Sequence, residues 1–187
     1  MKAPRGVTLL ELAVSIAVGG VIFFILGAIF IAQGQYFAIE DAIAETQVHA
    51  FQAMDATGLY AGSARRVVGS RTINGVNYAA GDALVILELP SIDASGNVLT
   101  GVYDYVAIGQ DPGVASLFIV DIERGSGSVR PNGKFVRASL VDKVIFRYNT
   151  VDITAATSLD LYVRMTKNAR GRTITTPLGK IYYLGSS

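Results

Sequence analysis

One side chain among the 187 residues stands where its chemistry demands a reason, and it is Glu11, which opens a run from Leu12 to Ala32 that contains no charged residue. A carboxylate at the edge of so apolar a stretch is costly to keep and marks function by default. A nearby positive group would offset its desolvation. The alternative is that Glu11 reaches back to a membrane interface. Other candidates for chemistry are thin. His49 is the only histidine, and it falls in a helical pattern, where a satisfied or solvent-facing ring is the ordinary reading. No nucleophile elbow, phosphate-cradling glycine loop or His/carboxylate cluster at metal spacing occurs. The chain has no cysteine, which excludes thiol catalysis, a Cys-based zinc site and a disulfide framework. Asp93-Ala94-Ser95-Gly96-Asn97 offers one carboxylate where a hard cation takes about six to eight oxygens, so it reads as a turn. The sequence therefore names no catalytic residue, no cofactor and no metal site.

The element that carries Glu11 is a helix. About 21 uncharged residues, Leu12 to Ala32, at a rise of ~1.5 Å span ~30 Å, the thickness of a bilayer core. Leu12, Ile16, Val21, Phe23, Phe24, Leu26, Ile29 and Ile31 form the expected anchor against membrane lipid. Lys2 and Arg5 precede the span, the next basic residue is Arg65, and the far flank carries Glu40, Asp41 and Glu45. This asymmetry puts the amino terminus in the cytoplasm and the rest outside, as a single-pass protein of the cytoplasmic membrane. A secretory signal fits less well, because the apolar run is too long and no small-residue cleavage pattern surrounds Phe30-Ile31-Ala32. A plain uncleaved anchor explains span and orientation but leaves Glu11 without a purpose.

Beyond the span, Ile39, Ile43, Ala50 and Met54, beside Phe37, Ala44, Val48 and Phe51, recur at three- and four-residue spacing. Glu40, Asp41, Glu45, Gln52 and Asp55 take the other side. That pattern predicts an amphipathic continuation packed on a sheet, with Gly58 as its stop. Gly19-Gly20 and Gly27 weaken the membrane half by up to about 1 kcal/mol each relative to alanine; close packing through small residues is the other use of such glycines. After Gly62 the texture turns to strands and turns. Ala83 to Leu89 ends at Pro90, Asp93 to Asn97 turns, and Val102 to Ile108 and Leu117 to Ile122 follow. A flexible connection runs through Gly125-Ser126-Gly127-Ser128 and Pro131-Asn132-Gly133. Phe135 to Leu140, Val144 to Tyr148, Leu159 to Met165, Thr173 to Thr176 and Ile181 to Leu184 then read as an antiparallel meander, one hairpin turning at Asn168-Ala169-Arg170-Gly171. The fold class is α+β: one long helix over residues 7–58 and one β-rich head over 62–187, a size that suffices for a single small domain.

The leader Met1-Lys2-Ala3-Pro4-Arg5-Gly6, followed by Val7-Thr8-Leu9-Leu10-Glu11-Leu12, resembles the class III leader of type IV prepilins and type II secretion pseudopilins, with Val7 where phenylalanine is usual. The resemblance implies that prepilin peptidase cuts between Gly6 and Val7, removing residues 1–6 and methylating Val7. It implies that Glu11 of an incoming subunit meets the terminal amine of a neighbour and sets register. It further implies a pilin-like ladle with the sheet wrapping the upper helix, unwinding near Gly19-Gly20 on assembly, and an extracellular or periplasmic filament. The partners would be copies of itself or other pilin subunits, an inner-membrane assembly platform and an assembly ATPase. The order of strands after Leu140 is similar to the heads of J-type minor pseudopilins and W-type minor pilins. Many pilins close a carboxy-terminal loop with a disulfide; this chain must use burial or another staple. The competing class is a single-pass anchored binding domain that never polymerises.

Charge is divided along the chain. Between Thr72 and Glu123 lie seven acidic residues and no basic one, while from Arg124 onward eleven basic residues face three acidic ones. Either the two segments neutralise each other within one sheet, or they form opposed surfaces on successive subunits. Arg164, Lys167, Arg170 and Arg172 make a candidate basic surface for DNA phosphates, as some competence pilins have.

Overall fold

The computed structural model describes residues 8–185. One helix, α1 (Leu9–Ala61, 53 residues), runs unbroken through Gly19, Gly20, Gly27 and Gly58. The chain divides into two compact units after Asp41. In the first, every large apolar side chain from Leu9 to Ile31 is exposed, including all eight expected anchor residues. By length and composition, α1 is able to cross a membrane.

In the second unit the helix packs on antiparallel sheets, and it turns toward them a face of small residues. Ala42, Thr46, Ala50, Ala53, Met54, Ala56, Thr57, Tyr60 and Ala61 are buried. Ala50 and Met54 face inward as expected. Val48 and Phe51 do not: they stand 53% and 56% exposed, and Ile43 38%; Phe37, in the first unit, is 61% exposed. The expectation that the large residues pack on the sheet is corrected here. Alanines let the helix backbone approach the strands closely, and the two buried threonines satisfy their hydroxyls on the helix itself, Thr46 Oγ1 donating to the Ile43 carbonyl and Thr57 Oγ1 to that of Ala53, both at 2.9 Å. Gly58 likewise does not stop the helix. It makes room for the Tyr182 ring, whose Cε1 would lie 3.2 Å from an added Cβ.

Ten strands follow. A five-stranded sheet has the order β1 (Arg66–Val67), β4 (Leu84–Ile92), β5 (Val98–Gln110), β6 (Phe118–Glu123), β7 (Gly133–Ala138). A three-stranded sheet follows the order β10 (Arg172–Tyr183), β9 (Ser158–Ala169), β8 (Val141–Tyr148). A hairpin pairs β2 (Ser70–Ile73) with β3 (Val76–Ala79). A short 3₁₀ turn occupies Ile153–Ala155. The expected single meander is thus two sheets. The chain leaves the first at Ser139-Leu140, where Leu140 adopts a left-handed φ of 63° and its carbonyl accepts from Thr166 N at 2.8 Å. Pro90 does not end its strand; it sits at a register shift within β4. The two strands expected at 173–176 and 181–184 are one, continuous through Pro177 on β10, whose one paired neighbour among the described residues is β9. A strand with a free edge tolerates a residue without an N–H.

The core lies between the small face of α1 and the inner faces of both sheets, around Leu87, Ile108, Phe118, Phe146, Leu161 and Met165. The β2–β3 hairpin covers the opposite side of the larger sheet, burying Ile73, Tyr78, Ile86, Ala107 and Ile119. Leu84 to Leu89 are consequently buried without alternation, which is why that segment reads as a continuous run in the sequence.

Candidate functional site

At the start of α1, Thr8 and Glu11 close a reciprocal cap. Thr8 N and Thr8 Oγ1 donate to Glu11 Oε2 at 2.9 and 3.0 Å, and Glu11 N donates to Thr8 Oγ1 at 3.2 Å. This is a capping box, which satisfies donors that a helix start leaves open and places a negative charge at the positive end of the helix dipole. Among the described residues no hydrogen bond reaches the other carboxylate oxygen, Oε1. Ser15 Oγ donates back to the Glu11 carbonyl at 2.8 Å. The carboxylate therefore has a local anchor, and one oxygen without a partner among the described residues, at the end of an exposed apolar helix. Sequence reasoning missed the cap, although Thr8-x-x-Glu11 before an apolar run is its written signature. Gly6 and Val7, the expected scissile pair, lie outside the described residues.

The head holds four of its acids inside. Four of the seven acidic residues between Thr72 and Glu123, namely Glu88, Asp104, Asp111 and Asp121, are at most 5% exposed. Asp104 receives Ser91 Oγ at 2.7 Å, Gly125 N at 2.6 Å, Ser128 Oγ at 2.8 Å and Arg130 Nη1 at 2.5 Å. Burial pushes its carboxyl up, and these four donors together outweigh burial and hold it below the usual carboxylate range. Asp111 follows the same balance, its burial overcome by Lys134 at 2.8 Å and by the Gly113 amide. Glu88 lies between Arg66 at 2.8 Å and Arg65 at 3.4 Å. Asp121 accepts from Tyr78 Oη at 2.8 Å and Asn74 Nδ2 at 2.7 Å. Burial first, then that carboxylate, drives the Tyr78 hydroxyl far above its usual range. The Asp104 network ties the Gly125–Arg130 loop to β4 and β5, a staple without cysteine.

Pairing of Arg130 with Asp104 and Lys134 with Asp111 means that part of the basic half neutralises the acidic half within one head. Two members of the candidate basic surface have acidic partners. Arg164 pairs with Asp142 and Lys167 with Glu45 of α1. Three residues apart on one strand, Arg164 and Lys167 point to opposite faces of the sheet. Arg170 lies in the exposed β9–β10 turn, at a φ of 50°, and Arg172 follows it as the first residue of β10. His49 sits at the corner between the sheets, its Nε2 3.2 Å from Ser139 Oγ and its Nδ1 3.1 Å from Gln52 Oε1. Asp93 closes its turn by accepting from Ser95 N and Asn97 N at 2.8 and 2.9 Å. Among the described residues no group of three His, Cys, Asp or Glu could hold a metal. The chain matches no protein-family model and no curated protein.

Proposed function

We propose that the chain is a membrane-inserted structural subunit that is processed at Gly6-Val7 and assembles, with copies of itself or related subunits, into a type IV pilus or a type II secretion pseudopilus. In this reading it adopts the pilin ladle and has no catalysis of its own. The observation that carries the proposal is Glu11: a capped carboxylate, with one oxygen that meets no partner among the described residues, opening a helix whose apolar side chains from Leu9 to Ile31 are exposed. Lipid covers them before assembly and neighbouring helices afterwards. The open oxygen suits a cationic partner, and a terminal amine created at Val7 by cleavage would be one. Prepilin peptidase, an inner-membrane platform and an assembly ATPase are the partners this reading requires.

A second reading, an anchored domain that never polymerises, draws on the same cap, because Thr8 alone gives Glu11 a purpose. A DNA-binding role has less support, since Arg164 and Lys167 are already engaged by Asp142 and Glu45. Mass spectrometry of the protein's amino terminus from its own membrane separates the first two. The filament reading expects a chain beginning at methylated Val7, and a Gly6→Leu variant that keeps residues 1–6. An intact Met1 in the parent protein would overturn it.

A further inference from the structure

We infer that the outward face of the three-stranded sheet is a binding site for an acidic saccharide, a sugar ring that carries a carboxylate; the inference does not depend on the subunit reading. Along β9 the residues alternate between core and surface. Leu159, Leu161 and Val163 are buried, while Asp160, Tyr162 and Arg164 lie on the other face, partly exposed. On that face Lys143 of β8 stands across from Arg164, Ile145 from Tyr162 and Arg147 from Asp160. Gly179 of β10 stands across from Tyr162 on its other side. Together they line one groove of about 380 Å³, a volume in the range of small-molecule sites.

Two features of this groove have no reason within the head itself. Gly179 lies inside a strand, where glycine weakens the structure. Its φ is outside the left-handed region, and an added Cβ would meet only the Leu161 carbonyl, at an ordinary 3.7 Å. No side chain from across the sheet, the Tyr162 ring included, comes within 4 Å of that position. A strand glycine that neither a turn nor a neighbour requires marks a place where something else approaches the sheet closely. The second feature is the Lys143–Arg164 pair, because like charges directly opposite one another on a sheet destabilise it. Asp142, at the register shift of β8, takes Arg164 through Nε. Among the described residues neither Nη of Arg164 nor Nζ of Lys143 has a partner, and an anion between them would supply one.

What surrounds that point sets the class of ligand. Alternate residues on a strand are ~6.7 Å apart, so a ring laid over Ile145, Tyr162 and Gly179 brings its substituents to the charged rows on either side. A uronic acid has the groups this needs. Its C–H face covers the apolar floor, its carboxylate meets Lys143 and Arg164, and its hydroxyls donate to Asp160 and accept from Arg147. Nucleic acid suits the groove less, because a run of successive phosphates would meet Asp160 and Asp142 there.

The test is surface plasmon resonance of the full-length protein, in a polyoxyethylene detergent that carries no sugar, over an immobilised galacturonic acid oligomer. A neutral galactose oligomer, a glutamate oligomer and single-stranded DNA, the last two of matching charge, are measured beside it. The uronate should bind about tenfold or more tightly than each of the other three, and Lys143→Glu and Tyr162→Ala should each weaken it by about tenfold or more. Gly179→Val should abolish binding while the protein melts no lower than the parent, since valine fills the hollow and replaces a strand glycine with a strand former. Unfolding cannot produce that combination. Absence of saturable uronate binding, or full binding by Gly179→Val, would overturn the site. Equal affinity for DNA or the glutamate oligomer would overturn the saccharide class, and equal affinity for the neutral oligomer would overturn the contact of Lys143 and Arg164 with a carboxylate.

Discussion

Asp104→Asn should loosen the head more than any conservative change at its surface. The side chain is wholly buried and accepts four hydrogen bonds, and Arg130, 13% exposed, has it as its one counter-ion among the described residues. Asparagine keeps the shape and one acceptor oxygen, but its amide now faces donors, and the guanidinium is left without a charge partner. Breaking one side of a buried pair costs ~3–5 kcal/mol. The Pro90 carbonyl still accepts from Arg130 at 2.6 Å, which argues for the lower end, ~3 kcal/mol. Against a total stability of ~5–15 kcal/mol, this lowers the melting temperature by on the order of 10 °C. Calorimetry of the full chain in detergent measures it, and trypsin localises it, because Arg124 and Arg130 bracket the stapled loop. Asp104→Asn/Arg130→Met should lose less than the two single changes added together. An Asp104→Asn protein that melts within ~1 °C of the parent and resists trypsin equally, well short of the expected shift, would refute the staple.

The folded carboxyls of Asp104 and Asp111 lie below their usual value near 3.9, so the stability they contribute is complete above that value and disappears as pH falls through the lower folded ones. Acid unfolding followed by tyrosine fluorescence should show loss confined to that window, and Asp104→Asn should weaken its pH dependence. At the other end, burial raises the Tyr182 hydroxyl to about 12, and it donates to the Met54 carbonyl at 2.7 Å. Its contribution is complete below the ordinary tyrosine value near 10 and is lost as pH climbs through 12, so Tyr182→Phe should blunt alkaline unfolding. Gly109 holds a φ of 147°, and an added Cβ would run into the Ala83 carbonyl and the Leu84 backbone; Gly109→Ala should therefore cost at least ~2 kcal/mol, measured by urea titration.

Much of the fold was legible because local signals agreed with tertiary ones. The uncharged run from Leu12 predicts a long helix, and most head strands lie within a few residues of their expected positions. The departures have physical causes. Asn74-Gly75, with φ values of 47° and 82°, is the hairpin turn of β2–β3, and its dipeptide was readable. Periodicity along α1 was right for Ala50 and Met54, which face inward, but not for Val48 and Phe51, because periodicity counts hydrophobicity and not size, and close approach to the sheets selected the alanine face. Clustering of Arg164, Lys167, Arg170 and Arg172 in sequence says nothing of the strand alternation that turns Arg164 away from Lys167, nor of Glu45 and Asp142, distant in the chain, that engage two. Thr8 explains part of Glu11 by a motif as short as four letters.

That cap makes the central claim testable with one substitution. Glutamine at position 11 can keep the Thr8 capping box but carries no charge. The measurement is filament yield for Glu11→Gln beside the parent and Glu11→Ala, with leader cleavage and helix content checked in each. Pairing with a neighbour's amine requires Glu11→Gln to be cleaved normally and to fail in assembly as badly as Glu11→Ala. Parent-level filaments from Glu11→Gln would contradict it and leave the carboxylate as a helix cap alone.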